Sequence, residues 1–346
     1  MADRWTWDLL DEDDQLIRTL DTVESDGQVT LNLDSTVRGG GSFTMRDRLD
    51  ETLDWLTVRL RPMRMDLTTG VETPWGVFLP VVPTGSYSAV GRSWSGQMVD
   101  KTSILQAAGP VETFTVPVGT PIVTRVQQII QSVADSRIAV TASPAVTVAA
   151  MTWDVADSPT WLTICNDLLA AAGFSAVWVD RWGQWRLEPY VLPAARAVEW
   201  EFVRGETSIH LPDFDVTRDD FTVPNVVTCV GQGSGDTPPP VAVARNDNPQ
   251  SRYSTVRRGM EIVKRYTSVE AADQTALYQQ AQRFLVESSS PGTSIDMRHL
   301  IRPLWLGSKV RFSDRDVSVD ATINEMRIHT RPGQLVETKL SEVIAL

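Results

Sequence analysis

The sequence has 346 residues, of which 42% are hydrophobic, and a formal net charge of −12. That is enough chain for roughly two to four domains with cores of their own, and too much apolar residue for a disordered protein. The acidity excludes a general nucleic-acid binder, which needs a basic field, and no apolar run reaches the roughly 18 residues of a membrane-spanning helix.

The chain starts Met1-Ala2-Asp3-Arg4-Trp5 and soon reaches Asp11-Glu12-Asp13-Asp14. With neither a basic nor an apolar stretch, this segment is not read as a secretory signal. Gln28-Val29-Thr30-Leu31-Asn32-Leu33 alternates polar and apolar residues and predicts a strand. Gly39-Gly40-Gly41 then breaks the pattern before Ser42-Phe43-Thr44-Met45. Without a Lys-Ser/Thr sequel the glycines make no phosphate loop, and a bulge or tight corner is expected. Trp55 to Met63 predicts a strand with Leu56, Val58 and Leu60 on one face. Trp75 to Val82 and Ser86 to Val90 predict two more. Strands at this spacing suggest a sandwich or barrel.

The pattern changes from about residue 110 to 195. Thr120 as N-cap and Pro121 at the first helical position predict a helix start. The stripe Ile122, Val123, Val126, Ile129, Ile130, Val133 follows at helical spacing. A second helix is predicted from Ser158-Pro159, with the stripe Trp161, Leu162, Cys165, Leu168, Leu169, Ala172 and Gly173 as its stop. Phe174 to Val179 and Trp185 to Leu187 flank Gly183 and predict a hairpin. After Pro193 the chain returns to strands, beginning with Asn225 to Val230. Gly231 to Pro240 reads as a flexible loop stiffened by three prolines. Thr267-Ser268-Val269-Glu270 looks like a capping box opening one long helix with Leu277, Ala281, Phe284 and Leu285 on its apolar face. Val310 to Phe312, Val317 to Val319 and Ile323 to Ile328 predict closing strands.

No constellation carries chemistry. Cys165 and Cys229 read as buried free thiols, and His210, His299 and His329 lack zinc-site spacing. Gly231, Gly233 and Gly235 precede prolines rather than the helix a dinucleotide fingerprint needs. Asp11 to Asp14 and Asp219-Asp220 read as solvated turns, and no nucleophile-elbow motif accompanies the Ser, His and Asp residues. Lysine occurs only at Lys101, Lys264, Lys309 and Lys339. Of twelve tryptophans, Trp5 and Trp7 form one pair and Trp178, Trp182 and Trp185 one cluster. Core packing is the simpler reading. A sugar-stacking platform or a subunit interface stays open, the interface ahead of the sugar site.

The order of elements resembles the baseplate-hub proteins of bacteriophage tails, including the gp27-like hubs of contractile tails. In long non-contractile tails the equivalent is the N-terminal part of the tail-associated protein, often labelled minor tail protein. The resemblance rests on four stretches. Val90 to Val99 looks like the family's strand running into the turn Asp100-Lys101-Thr102. Val116-Pro117-Val118-Gly119-Thr120-Pro121 leads into an inserted domain, and Val179 to Gln184 closes it. Ala281 to Ser288 looks like the helix before a second barrel.

The fold class implied is mainly β with an α+β insertion: two tail-tube-like β-barrel domains plus a small α/β domain. The first barrel would span about 1–105, completed by about 196–222, with the insertion at about 106–195. The second would span about 223–346 with its long helix at about 268–288. The resemblance implies a structural, non-enzymatic hub in the virion tail tip of a siphovirus, assembled in the host cytoplasm. Three subunits would form a homotrimeric ring whose six barrels continue the six-fold tube. Partners implied are the tail tube or distal tail protein, the tape measure protein and tip or fibre proteins. DNA would pass in transit without specific binding, and no cofactor, metal, catalytic residue or membrane insertion is expected. Any lysozyme, peptidase or fibre activity would come from a separate chain. A distal tail protein, a carbohydrate-binding receptor-recognition module and a cell-wall hydrolase are the rival expectations. The net charge of −12 suits an acidic channel that repels DNA, or serves solubility alone.

Overall fold

The computed structural model describes residues 3–21, 25–47, 54–88, 91–219, 221–231, 238–269, 271, 273–289 and 292–344. Eight strands come first: β1 (Asp3–Leu10), β2 (Leu16–Asp21), β3 (Ser25–Asn32), β4 (Gly39–Asp47), β5 (Arg59–Asp66), β6 (Glu72–Pro74), β7 (Phe78–Ser88) and β8 (Gly91–Asp100). The insertion holds α1 (Thr102–Ala107), β9 (Phe114–Val116), α2 (Ile122–Val133), β10 (Ile138–Val140), β11 (Met151–Trp153), α3 (Trp161–Ala171), β12 (Trp178–Val179) and β13 (Trp185–Leu187). The last part holds β14 (Val198–Val203), β15 (His210–Arg218), β16 (Val226–Gly231), β17 (Val241–Arg245), α4 (Thr255–Arg258), β18 (Val263–Val269), α5 (Gln274–Ser289), β19 (Thr293–His299), β20 (Lys309–Asp314), β21 (Val317–His329) and β22 (Val336–Glu342).

The class is mainly β with an α+β insertion, as the sequence pattern implies. The first and last parts of the chain share one sheet, in the order β15-β19-β22-β21-β3-β4-β8-β7-β5-β1-β2, with β14 and β20 branching from β21 and β6 from β5. The pairings described follow an open path and close no ring. The seam is β3 against β21, which sets Leu31 opposite Met326 and Val29 opposite Ile328. One core lies behind both parts: Trp5, Trp7 and Phe43 share it with Phe202, Phe312, Ile323 and Leu340. Each such fully buried side chain contributes about 1.5–3 kcal/mol.

Several local expectations change. Trp55 to Thr57 form a turn rather than a strand, because Asp54 Oδ1 accepts from Leu56 N and Asp54 O accepts from Thr57 N. Leu56 is therefore 92% exposed, while Val58 and Leu60 are buried as predicted. The two candidates around Trp75–Val82 and Ser86–Val90 are mostly one bulged strand, β7, with Val82 at φ +47°; Val90 lies outside the described residues.

The three glycines sit inside β4, not at a corner. Gly41 has φ +150°, and a Cβ there would stand 1.9 Å from Gln28 O on β3. The close approach of two backbones demands glycine. Gly41→Ala should cost roughly 3 kcal/mol or more in a urea titration, against about 1 kcal/mol for Gly70→Ala, where φ is +72° and the space is open.

In the insertion, both predicted stripes pack into one core with Leu105, Trp185 and Leu187. The first helix starts at Ile122: Pro121 is still extended, and the Thr120 hydroxyl donates to Pro117 O instead of capping. The second is capped by Thr160, whose Oγ1 accepts from Thr163 N, and Gly173 follows its end at φ +73°. β12 and β13 form the predicted hairpin with Gly183 in its turn, and β13 also pairs in parallel with β10. Cys165 and Cys229 are free and buried. Burial pushes their thiols up, Cys165 to about 12 and Cys229 to about 11, so neither forms a thiolate at neutral pH.

The long helix starts later than the capping-box pattern implies. Thr267 to Val269 belong to β18, which pairs in parallel with β16. α5 begins beyond Asp273, whose Oδ1 accepts from Ala276 N. Its predicted apolar face holds, packed on β16 and β17. Glu270, Gly233 and Gly235 lie outside the described residues.

Candidate functional site

Strand alternation leaves one face of the shared sheet to the core and the other to solvent. In an antiparallel pair, residues directly opposite share a face, so rows of partners can be followed across the strands. One row runs Val81, Gln97, Ser42, Gln28, His329 from β7 to β21. The next runs Leu79, Val99, Gly40, Thr30, Arg327, Glu337, Arg298 and reaches β19. A third runs Asn32, Glu325, Lys339, Asp296, Asp215 to β15. A fourth runs Thr84, Ser95, Thr44, Asp26. The β7-β8-β4-β3 half is thus mostly hydroxyl, amide and glycine. The β21-β22-β19-β15 half is charged and overlies a concavity of about 870 Å³. Arg327 Nη1 lies 3.1 Å from Glu337 Oε2, and Gln28 Nε2 3.3 Å from His329 Nε2. These rows carry five acidic and three basic residues, so the face is close to balanced and does not concentrate the chain's excess acidity.

Both ends of this eight-strand run have free edges. β7 pairs with β5 only at Phe78, so from Leu79 onward its outer edge has no partner among the described residues. Among the described residues β15 pairs only with β19. Tyr87 on the free edge is 75% exposed.

The Asp100-Lys101-Thr102 turn joins this sheet to the insertion. Asp100 accepts from Gly39 N (2.5 Å), from Thr102 N (2.8 Å) and from the Thr102 hydroxyl. Burial pushes its carboxyl up. Lys101 is completely buried. Its Nζ lies 2.8 Å from Asp14 Oδ2, 2.5 Å from Asp135 Oδ2 and 3.0 Å from Gly183 O. Arg137 (2.6 Å) and Arg59 (3.4 Å) complete the compensation of Asp14. Burial pushes the Asp135 carboxyl up, but the hydrogen bond and charge of Lys101 outweigh it and hold the group below its ordinary value. Asp14 is thus not a solvated turn residue as its acidic run implied, whereas Asp11 and Asp219 do cap turns, through Asp13 N and Phe221 N. Asp220 lies outside the described residues.

Between β15 and β20 lies a row that no motif signalled. His210 Nε2 lies 3.0 Å from Asp314 Oδ2, and His210 Nδ1 lies 3.1 Å from Ser208 Oγ. The order is that of a hydrolase triad. Yet His210 is 6% exposed and walled by Phe202 and Phe312, which leaves no face for a substrate carbonyl. Beside it His299 donates from Nδ1 to Leu300 O (2.8 Å), and its Nε2 faces Thr338 Oγ1 (2.9 Å). Burial lowers its pKa from 6.5 to about 4. The unfolded chain therefore binds the extra proton first. This stabilisation is complete above about pH 6.5 and is lost as pH falls toward 4, a total of about 3 kcal/mol. Urea midpoints measured across that window should fall less steeply in His299→Gln than in the parent.

Only Trp182 of the twelve tryptophans is exposed, and Arg61 covers one of its faces. Trp5, Trp7, Trp75 and Trp185 are fully buried. Among the described residues no cluster of three or more His, Cys, Asp or Glu is placed to hold a metal ion, and no helix is long and apolar enough to cross a membrane.

No protein-family profile matches the sequence, and no curated protein matches it. Solved structures do match. A tail protein from Neisseria meningitidis MC58 superposes with a TM-score of 0.66 at 11% identity, covering 99% of this chain and 97% of that one. The 43 kDa tail protein of prophage MuSo2 from Shewanella oneidensis gives 0.65 at 10% identity, with 98% of each chain covered. The fold is that of phage tail proteins. An E. coli type VI secretion component, described as similar to the T4 tail proteins gp27 and gp5, gives 0.50 at 9% identity over 100% of this chain and 74% of that one. At these identities the likeness is one of fold.

Proposed function

We propose that this chain is a structural hub subunit of a phage tail tip, and that three copies close into a ring whose inner wall is the polar sheet face. The observation that carries the reading is the eight-strand run β7-β8-β4-β3-β21-β22-β19-β15, antiparallel at every step and free at both edges. Because eight is even, β15 of one copy meets β7 of the next in antiparallel sense. Head-to-tail contacts of this kind generate rings where the rotation between copies closes, and filaments where it does not. They also bury edges that would otherwise template aggregation. The superposition on tail proteins over nearly their whole length supports the same role, and a structural rather than catalytic one. In a tail the ring would join tube or distal tail protein to the tip, with tape measure protein and DNA passing through it.

Native mass spectrometry should find a species of roughly 115 kDa, three times the 38.4 kDa chain. Hydrogen exchange should then slow in residues 79–88 and 211–218 on assembly, and less elsewhere in the sheet. A six-fold ring would instead favour a distal tail protein. Glycan-array binding would favour the receptor module, and products released from peptidoglycan would favour a hydrolase. A monomer with fast-exchanging edges at high concentration would end the ring reading.

A further inference from the structure

The charged half of the wall is a checkerboard. Along β21 lie Glu325 and Arg327, along β22 Lys339 and Glu337, and along β19 Asp296 and Arg298, all on one face. Across the strands Arg327 faces Glu337, which faces Arg298. In the neighbouring row Glu325 faces Lys339, which faces Asp296. Within these six, every nearest neighbour along a strand or across it has the opposite sign; beyond them Asp296 faces Asp215 on β15. The six charges sum to zero, on a chain whose net charge is −12.

We infer that this checkerboard is the surface past which duplex DNA slides, its cations neutralised in place so that phosphates find nothing to hold. The inference rests on the ring reading above. DNA binds basic surfaces because phosphates replace counterions, and the released ions drive affinity. Arg327 is ion-paired with Glu337, and Arg298 and Lys339 have carboxylates opposite them on the neighbouring strands, so there is little loose counterion to release. Net acidity elsewhere on the subunit acts only weakly here, because charges more than about 8–10 Å apart are screened at physiological salt. A wall in contact with DNA must therefore be balanced locally. The other half of the wall meets the same need with hydroxyl and amide groups.

The test uses the assembled full-length ring and two triple variants. Glu325→Gln, Glu337→Gln and Asp296→Asn together leave three free cations per subunit. This ring should retain a linear 60-base-pair duplex that the parent ring does not retain, by about tenfold or more in affinity at 0.05 M salt and with steep loss toward 0.2 M. It should not retain a closed circle of the same sequence, which cannot thread. Arg327→Gln, Arg298→Gln and Lys339→Gln together should retain neither. Should the first triple fail to fold, Glu337→Gln alone, which removes the carboxylate opposite both Arg327 and Arg298, must give the same order at smaller size. A folded, trimeric acid-neutralised ring that binds no linear duplex overturns the inference while leaving the ring intact. Equal binding of linear and circular DNA overturns the assignment of this face to the channel. A parent chain that never assembles ends the ring reading itself, and the inference with it; mass spectrometry on the same samples separates the cases.

Discussion

Lys101→Met should destabilise the protein by about 3–5 kcal/mol, read as a shift of the urea midpoint at neutral pH. Methionine follows the apolar stem of lysine and ends one atom short, where the ammonium stood, so little packing is lost. What is lost is, among the described residues, the only cation touching both Asp14 and Asp135, at 2.8 and 2.5 Å in a site with no exposure at Lys101. Arg59 and Arg137 still face Asp14, so Asp135 bears most of the penalty. The sign with pH follows. Asp135 titrates below its ordinary 3.8 in the folded protein, so its contribution is present above that value and lost as pH falls through the lower folded one. In Lys101→Met this acid-dependent component should shrink or reverse, because desolvation alone pushes the carboxyl up. A second substitution, Asp135→Asn, should recover part of the loss. If the single variant melts like the parent, Lys101 does not hold the two buried carboxylates together.

Ile129→Asp should cost the insertion about 3–5 kcal/mol, since it buries a carboxylate with no partner among Leu105, Ile130, Leu168 and Trp185. Ile129 is 3% exposed, on the stripe that the 3.6-residue period picks out. Gln128→Asp, one residue away on the exposed face of α2, should stay within about 0.5 kcal/mol. The pair tests the helix face directly. Circular dichroism and a thermal melt suffice, and equal melts for the two variants would mean the face is wrong.

What the sequence discloses is what local periodicity encodes. The α2 and α3 stripes, the Gly183 hairpin, the strand at Val226 and the buried thiols all follow from neighbours a few residues apart. The capping box failed for a physical reason: β-branched and aromatic residues from Val263 to Val269 pair with β16, and sheet pairing outweighs a local capping signal. Lys101 was visible as part of a turn, and as one of only four lysines, but its partners come from Asp14, Asp135 and Gly183, each far away in sequence. The checkerboard left a faint trace, since Glu325/Arg327, Glu337/Lys339 and Asp296/Arg298 are each opposite charges two residues apart. Only strand pairing brings the three couples onto one surface. The free edges of β7 and β15 leave no trace at all, because an edge is defined by the absence of a neighbour in space.

The β3–β21 seam sets the timetable of the chain's own synthesis. Gln28 and His329 meet across it at a separation of 301 residues. At roughly 5–20 residues per second, β3 waits about 15–60 s on the ribosome for its partner. Pairings of such long range are also the slow ones in a free chain, because the loop must close before any contact rewards it. The eight-strand run is therefore the last part of the fold to be finished. A ribosome that stops early releases a chain in which β3 has a bare edge and the charged rows do not exist. In the proposed ring such a product would have no complete eight-strand run to offer a neighbour, so incomplete chains would exclude themselves from assembly.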